Sequence, residues 1–267
     1  MSIRLTRRTI AAAVAAAALA GTGAQAHTSY LLPSEFSTAD ADTVTLQASF
    51  SERAFFRPEV AVASQDFHLY RPDGRREVYD RVEAFRQVTI LESDLAEPGT
   101  YRFTTGERLG RIGAQVKVDG AWRPLEPGQT PPAGAEVRRS QTATVAEVYV
   151  TKGAPTRAVL DVPVGRLAIR TDAHPNAIYL DEGVTLTITF DGVPLADQPL
   201  ELDREGGAYE EPKFHKVLRT DGEGRVKLDL DRPGAYLVMT RHQADAPPGA
   251  ETAVRSYTTS LTFEVMR

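Results

Sequence analysis

Alternation at every second residue constrains this chain more than any other feature. Val44, Leu46, Ala48 and Phe50 interleave with Thr45, Gln47 and Ser49, and Val184, Leu186, Ile188 and Phe190 interleave with Thr185, Thr187 and Thr189. On an extended backbone successive side chains point to opposite faces, so such runs read as strands with one buried face and one wet face. Shorter runs rich in β-branched and aromatic residues predict further strands at 66–70, 83–91, 100–105, 114–118, 142–151, 166–171, 199–202, 225–230, 235–241 and 256–265. Asp73-Gly74, Asp119-Gly120, Asp191-Gly192 and Asp221-Gly222 punctuate these runs as turns. Beyond residue 26 no segment keeps helical spacing over three turns; a short helical turn at 58–63 is the one exception expected. The fold class is therefore all-β.

The alternation comes in two related blocks. Val44-Thr45-Leu46 with Phe50 recurs as Val184-Thr185-Leu186 with Phe190. Leu95-x-x-Pro98-Gly99-x-Tyr101 recurs in the same order as Leu230-x-x-Pro233-Gly234-x-Tyr236. Pro-Gly followed by a strand-opening Tyr suits the end corner of an immunoglobulin-like sandwich, where the ring packs inward and the hydroxyl bonds backbone. The same dipeptide is also ordinary turn chemistry, but two pairs in one order favour a duplicated unit. The expected architecture is two immunoglobulin-like or transthyretin-like β-sandwich domains, 27–163 and 164–267. Segments 119–139, 209–216 and 243–253 read as surface loops, the first holding Trp122, Pro124, Pro127, Pro131 and Pro132.

Residues 1–26 read as a cleaved signal peptide. Arg4, Arg7 and Arg8 precede an apolar run from Ile10 to Ala20, and Ala24-Gln25-Ala26 supplies an A-x-A cleavage signal. Thr6-Arg7-Arg8 is a partial match to a twin-arginine leader; the Sec route is the plainer reading. The apolar run is short and alanine-rich for a membrane span, so no direct membrane insertion is expected. The net charge of the whole chain is −5; losing three arginines and no acid takes it to −8. An acidic protein is a poor partner for nucleic acid or an anionic membrane. The chain has no cysteine, which removes disulfides, thiolate metal sites and cysteine nucleophiles.

Cleavage after Ala26 makes His27 the first residue. A free α-amine and the Nδ1 of the same histidine close a chelate ring, so one residue supplies two nitrogens to a metal ion. Four other histidines could add to it, since neutral imidazole suits Ni, Co, Cu and Zn. His68 lies on a face with Asp66 and Tyr70 that looks polar and therefore exposed. His242 ends the strand 236–241, beside a loop, where sandwich sites are commonly built. His174 precedes Pro175 at the domain junction and reads either as a ligand at the seam or as a plain turn residue. His215 sits in a charged loop and is the weakest candidate. No two histidines have a short ligand-like spacing, so only the fold could bring them together.

Signals for catalysis are weak. Gly106, Gly110 and Gly113 lack the strand-to-helix setting of a phosphate loop. No G-x-S-x-G or H-E-x-x-H is present, and Glu210-Glu211 or Asp229 with Asp231 read as solvated faces. No enzyme activity is expected.

Several motifs together resemble the DUF4198 family of bacterial periplasmic proteins. They are Ala26-His27-Thr28-Ser29-Tyr30-Leu31-Leu32-Pro33, Val148-Tyr149-Val150-Thr151-Lys152-Gly153, His174-Pro175, and Asp191-Gly192-Val193-Pro194-Leu195. Thr220-Asp221-Gly222-Glu223-Gly224-Arg225 follows, then Pro233-Gly234-Ala235-Tyr236 through His242. The resemblance implies a periplasmic β protein linked to cobalt or nickel uptake, with His27 and His242 as the matching histidines; Tyr30 stands where many members have Trp. The expected function is thus a periplasmic metal-binding accessory protein. The ion is Ni, Co or Cu, and the ligand set is His27 and His242 with His68 or His174. The partner is an outer- or inner-membrane metal transporter. The alternative is a metal-free interaction module that binds an envelope receptor or glycan through loops such as 119–139. A copper-dependent polysaccharide oxidase ranks last, since no second brace histidine or aromatic substrate plane is evident.

Overall fold

The computed structural model describes residues 28–51, 56–126 and 128–267. Among them there is no α-helix, and 54% of the chain is strand, which is the all-β class expected. The first strands are β1 (Thr28–Pro33), β2 (Ser37–Thr38), β3 (Thr43–Ser51), β4 (Val60–Ala61), β5 (His68–Tyr70), β6 (Arg76–Glu77) and β7 (Arg81–Ala84). Then come β8 (Thr89–Asp94), β9 (Gly99–Thr104), β10 (Arg108–Val118), β11 (Ala121–Leu125), β12 (Val137–Lys152), β13 (Leu167–Thr171) and β14 (Ile178–Tyr179). The last are β15 (Val184–Phe190), β16 (Val193–Pro194), β17 (Pro199–Arg204), β18 (His215–Arg219), β19 (Arg225–Leu228), β20 (Gly234–Asp245) and β21 (Val254–Met266).

These strands form three sheets. The first has the order β1-β3-β8-β7, with β4 against β3; the third has β13-β15-β16, with β19 against β15. Between them runs a twelve-stranded sheet ordered β18-β17-β20-β21-β12-β9-β5-β6. Side-chain parity assigns each outer sheet its own face of this central sheet. On one face Tyr101, Phe103, Ala146, Val148 and Val150 meet Leu31, Val44, Leu46, Ala48 and Leu91 of the first sheet. On the other, Tyr236, Val238, Tyr257, Leu261 and Phe263 meet Leu167, Ile169, Val184, Leu186 and Ile188 of the third. The two apolar clusters thus lie on opposite sides of one shared layer. A smaller cluster seats Tyr30 of β1 on Leu237 and Met239 of β20.

The seam between the halves is a parallel pairing: Ser140–Val148 of β12 lie beside Val254–Thr262 of β21. β12 pairs with β9 and β10 on its other edge. Parallel neighbours need a long crossover rather than a hairpin, and residues 153–253 provide it.

The repeated Pro-Gly-x-Tyr motif behaves as expected in both copies. Tyr101 donates its hydroxyl to the Glu97 carbonyl at 2.9 Å, and the Tyr236 hydroxyl shares its proton between the Asp231 carboxylate and the Arg232 carbonyl, both at 2.8 Å. Each hydroxyl also accepts the backbone N–H of that same residue, four positions earlier. Gly99 and Gly234 adopt nearly the same positive φ, 127° and 132°, which a side chain would strain. Asp119-Gly120 and Asp191-Gly192 each have two successive positive φ angles, the signature of the tight primed hairpin turn.

Four local expectations change. The run 83–91 is a hairpin, not one strand: it breaks after Ala84, where the Phe85 N–H bonds the Val88 carbonyl. Segment 58–63 carries the edge strand β4 rather than a helical turn. Segment 119–139 is a ribbon: β11 pairs with β10 from Val118↔Ala121 to Ala114↔Leu125. Trp122 lies between the Arg138 guanidinium, 4.1 Å from its ring centre, and Lys117. Segment 209–216 ends in β18, which zips to β17.

Candidate functional site

His27 lies outside the described residues. The strand that follows it is well defined. Thr28 pairs with Ser51, Tyr30 and Leu31 are fully buried, and the Ser260 hydroxyl donates to the Ser29 carbonyl at 2.5 Å. Burial pushes the Tyr30 phenol up to about 12. Within two residues of His27 the backbone is therefore held to two sheets, through Thr28 to β3 and through Ser29 to β21.

The other four histidines occupy four separate settings. His174 is 9% exposed and both its nitrogens are engaged. Nδ1 accepts the Asn176 N–H at 3.1 Å, so Nε2 carries the proton and donates to the Thr156 carbonyl at 3.0 Å, with the Thr100 hydroxyl also at 3.0 Å. Asn176 in turn donates to the carbonyls of Phe36 and Tyr149. This imidazole has no lone pair left for a metal. It holds the connector to the end of β9, and burial keeps its pKa below the usual histidine value.

His68 is 3% exposed, so the expected exposed strand histidine is a buried one. Its Nδ1 faces the Asp66 carbonyl at 2.6 Å, which leaves Nε2 as an unpartnered buried acceptor. The strand register puts His68 beside Thr104, and Tyr70 beside Arg102, on the face turned from the first sheet. There Arg102 and Glu147, both nearly inaccessible, form an ion pair with Nε to Oε2 at 2.6 Å. Arg102 also donates to the carbonyl oxygens of Val159 and Val162 in the connector. That connector covers a face whose sequence looks fit for water. Burial lowers the His68 pKa.

His242 is not at a strand end; β20 continues to Asp245. Its ring sits 4.9 Å from that of Phe190, and Nδ1 faces the Gln198 side-chain oxygen at 3.3 Å. The proton therefore belongs on Nδ1, and Nε2 is a free lone pair on a half-buried ring. Beside it, Arg166 stacks on Phe190 at 4.4 Å, donates to the Tyr257 hydroxyl at 2.8 Å and forks onto Asp191. His215 is exposed and paired with Asp203 at 2.9 Å, which raises its pKa.

These settings are not adjacent. β5 and β20 are four strands apart in the central sheet, so His68 and His242 are separated by about 19 Å or more at strand spacings of ~4.8 Å. Parity also separates His242 from β1. Tyr30 packs on Leu237 and Met239, the odd-numbered face of β20, whereas His242 shares the opposite face with Tyr236 and Val238. Among the described residues no group of three or more His, Asp or Glu side chains is placed to hold a metal ion.

Fold and site together define a β-sandwich protein with a firmly anchored amino-terminal strand and no assembled side-chain metal cage among the described residues. The chain belongs to the DUF4198 family, whose model, described as a domain of unknown function, matches residues 24–244. A comparison with curated proteins finds no match. Among solved structures, the trypsin-activated alpha-2-macroglobulin from Escherichia coli is 13% identical over 90% of this chain, with a TM-score of 0.24. This chain spans only 16% of that protein's length. The D0-D1 domain of intimin is 13% identical over 87% of this chain and 96% of its own, with a TM-score of 0.20. Similarities this low carry no argument about function. Among the described residues no helix is long and apolar enough to cross a membrane.

Proposed function

We propose that the protein is an exported, periplasmic metal-binding accessory protein that chelates Ni, Co or Cu through the α-amine and Nδ1 of His27 and delivers the ion to a membrane transporter. The observation that supports this reading is the locking of β1. A chelating residue next to a strand paired from Thr28 onward loses little further backbone freedom on binding. His174 has no part in the site because both its nitrogens are bonded, and His68 and His242 face away from β1; water and small ligands fill the remaining positions. A nitrogen chelate of this kind prefers Cu(II) intrinsically, so supply and partner set the metal carried. The amine, with an ordinary pKa of ~8, must lose its proton, so affinity rises with pH up to that value.

Mass spectrometry of the exported protein should find His27 at the amino terminus. Titration with Ni(II), Co(II) and Cu(II) should show affinity falling at least tenfold in His27→Ala, and equally in a form that retains Ala26, whose peptide bond removes the free amine. Unchanged affinity in both, or a terminus elsewhere, rejects the reading.

A further inference from the structure

One row of side chains crosses four strands of the central sheet. The register pairs Arg108 of β10 with Thr144 of β12, Thr144 with Thr258 of β21, and Thr258 with Arg241 of β20. Paired residues share a face, so the row reads Arg-Thr-Thr-Arg on the side that carries β1. The next row adds Thr142, Ser256 and Gln243. The floor is therefore mostly hydroxyls, of which Thr144 donates to the Arg108 carbonyl at 3.4 Å, and it opens to solvent at Thr142 while Thr144 and Thr258 are buried.

Among the described residues neither guanidinium forms an ion pair, although Glu201 of β17 shares the face of Arg241 and partly offsets the effect of burial on it. Arg108 uses Nε on the Ala63 carbonyl at 2.7 Å and lies over the Phe50 ring. Arg241 uses Nε on the Thr258 hydroxyl at 3.1 Å. Among the described residues no Asp or Glu is within ion-pair reach of either, and burial lowers the pKa of both. Almost every other buried or half-buried arginine here has such a partner: Arg102 has Glu147, Arg204 has Glu210 and Asp231, Arg166 has Asp191. Two half-buried cations left open beside a hydroxyl floor, in a protein of net charge −5, form a local positive site shaped for an anion.

We propose that this shelf binds a small polycarboxylate, with one carboxylate on Arg108, another on Arg241, and the Thr144 and Thr258 hydroxyls beneath. The span selects the ligand class. Three strand intervals separate the two arginines by about 14 Å at Cα. Arg241 leans inward over β21, whereas Arg108 is held toward Phe50 and Ala63. The two charges therefore stay too far apart to converge on one compact tetrahedral anion, and an extended di- or tricarboxylate bridges them. The anion is bound without a metal, so the shelf stands or falls apart from the His27 chelate.

Citrate is the probe, with acetate and inorganic phosphate as comparators, titrated calorimetrically into the mature chain at low ionic strength. Citrate should bind at least tenfold more tightly than either comparator, weaken with added salt, and shift the amide resonances of Thr144 and Thr258. Arg108→Gln and Arg241→Gln should each weaken it at least tenfold, Arg241→Lys by less, and exposed Arg111→Gln not at all. If the glutamine variants fail to fold, the resonance map of the unaltered protein decides. The proposal is overturned by citrate binding no tighter than acetate, by phosphate matching citrate, by glutamine variants that bind like the parent, or by shifts confined to other regions.

Discussion

Single residues carry the pH response of this protein. His68, His174 and His242 all have pKa values lowered by burial, so the folded state holds them neutral longer than the unfolded chain does. The unfolded state takes protons first, near its own value of ~6.5. Stability is therefore full above about pH 6.5 and falls as pH drops toward the lowered folded values. Chemical denaturation between pH 7.5 and 5 should show the midpoint falling with acidification. His174→Gln should flatten part of that slope, because the amide can reproduce one bond to Thr156 but takes no proton. A slope unchanged in this variant removes His174 from the response. His215 works in the opposite sense but is exposed and paired only with Asp203, so solvent screening keeps its share small.

At the scale of elements, the two Pro-Gly-x-Tyr corners are the clearest unit. Each hydroxyl bridges backbone donor and acceptor of one residue, four positions upstream. Tyr101→Phe and Tyr236→Phe should each cost about 1–2 kcal/mol, a fall of a few degrees in Tm. Calorimetry showing no loss in either would leave only the ring's packing to explain the motif. These corners were legible in the sequence because local spacing determines them. So were β3 and β15, which bury alternate residues on one face. β1 was not, because Tyr30, Leu31 and Pro33 face apolar surroundings on both sides and leave no alternation to see. β11 was hidden by Pro124 and by charged neighbours, although a proline is tolerated on an edge strand. The burial of His68 was equally invisible: Asp66 and Tyr70 suggest a wet face, and only the distant connector at Val159 and Val162 closes that region. Whether histidines meet is a tertiary question, and the alternation that identifies strands does not say which of them become neighbours.

At the scale of the whole molecule, one sheet serves two cores. The apolar clusters on its opposite faces share the ladders of β12, β20 and β21, so neither can lose that layer alone. Differential scanning calorimetry should therefore show a single cooperative transition. Thr259→Pro should lower it as a unit, since a proline removes a ladder donor from a strand paired on both edges. Two separated transitions, with only the later half affected by the substitution, would break this picture.

The seam of β12 against β21 also joins distant stretches of chain. β12 is separated from β21 by about a hundred residues of chain, and apart from Thr151 and Lys152, which pair with β2, that edge of β12 has its partner only in the last strand. Such an edge invites pairing with whatever strand comes near. Without that last strand β12 would thus lack the partner of its longest ladder, and the exposed margin would be open to a foreign strand.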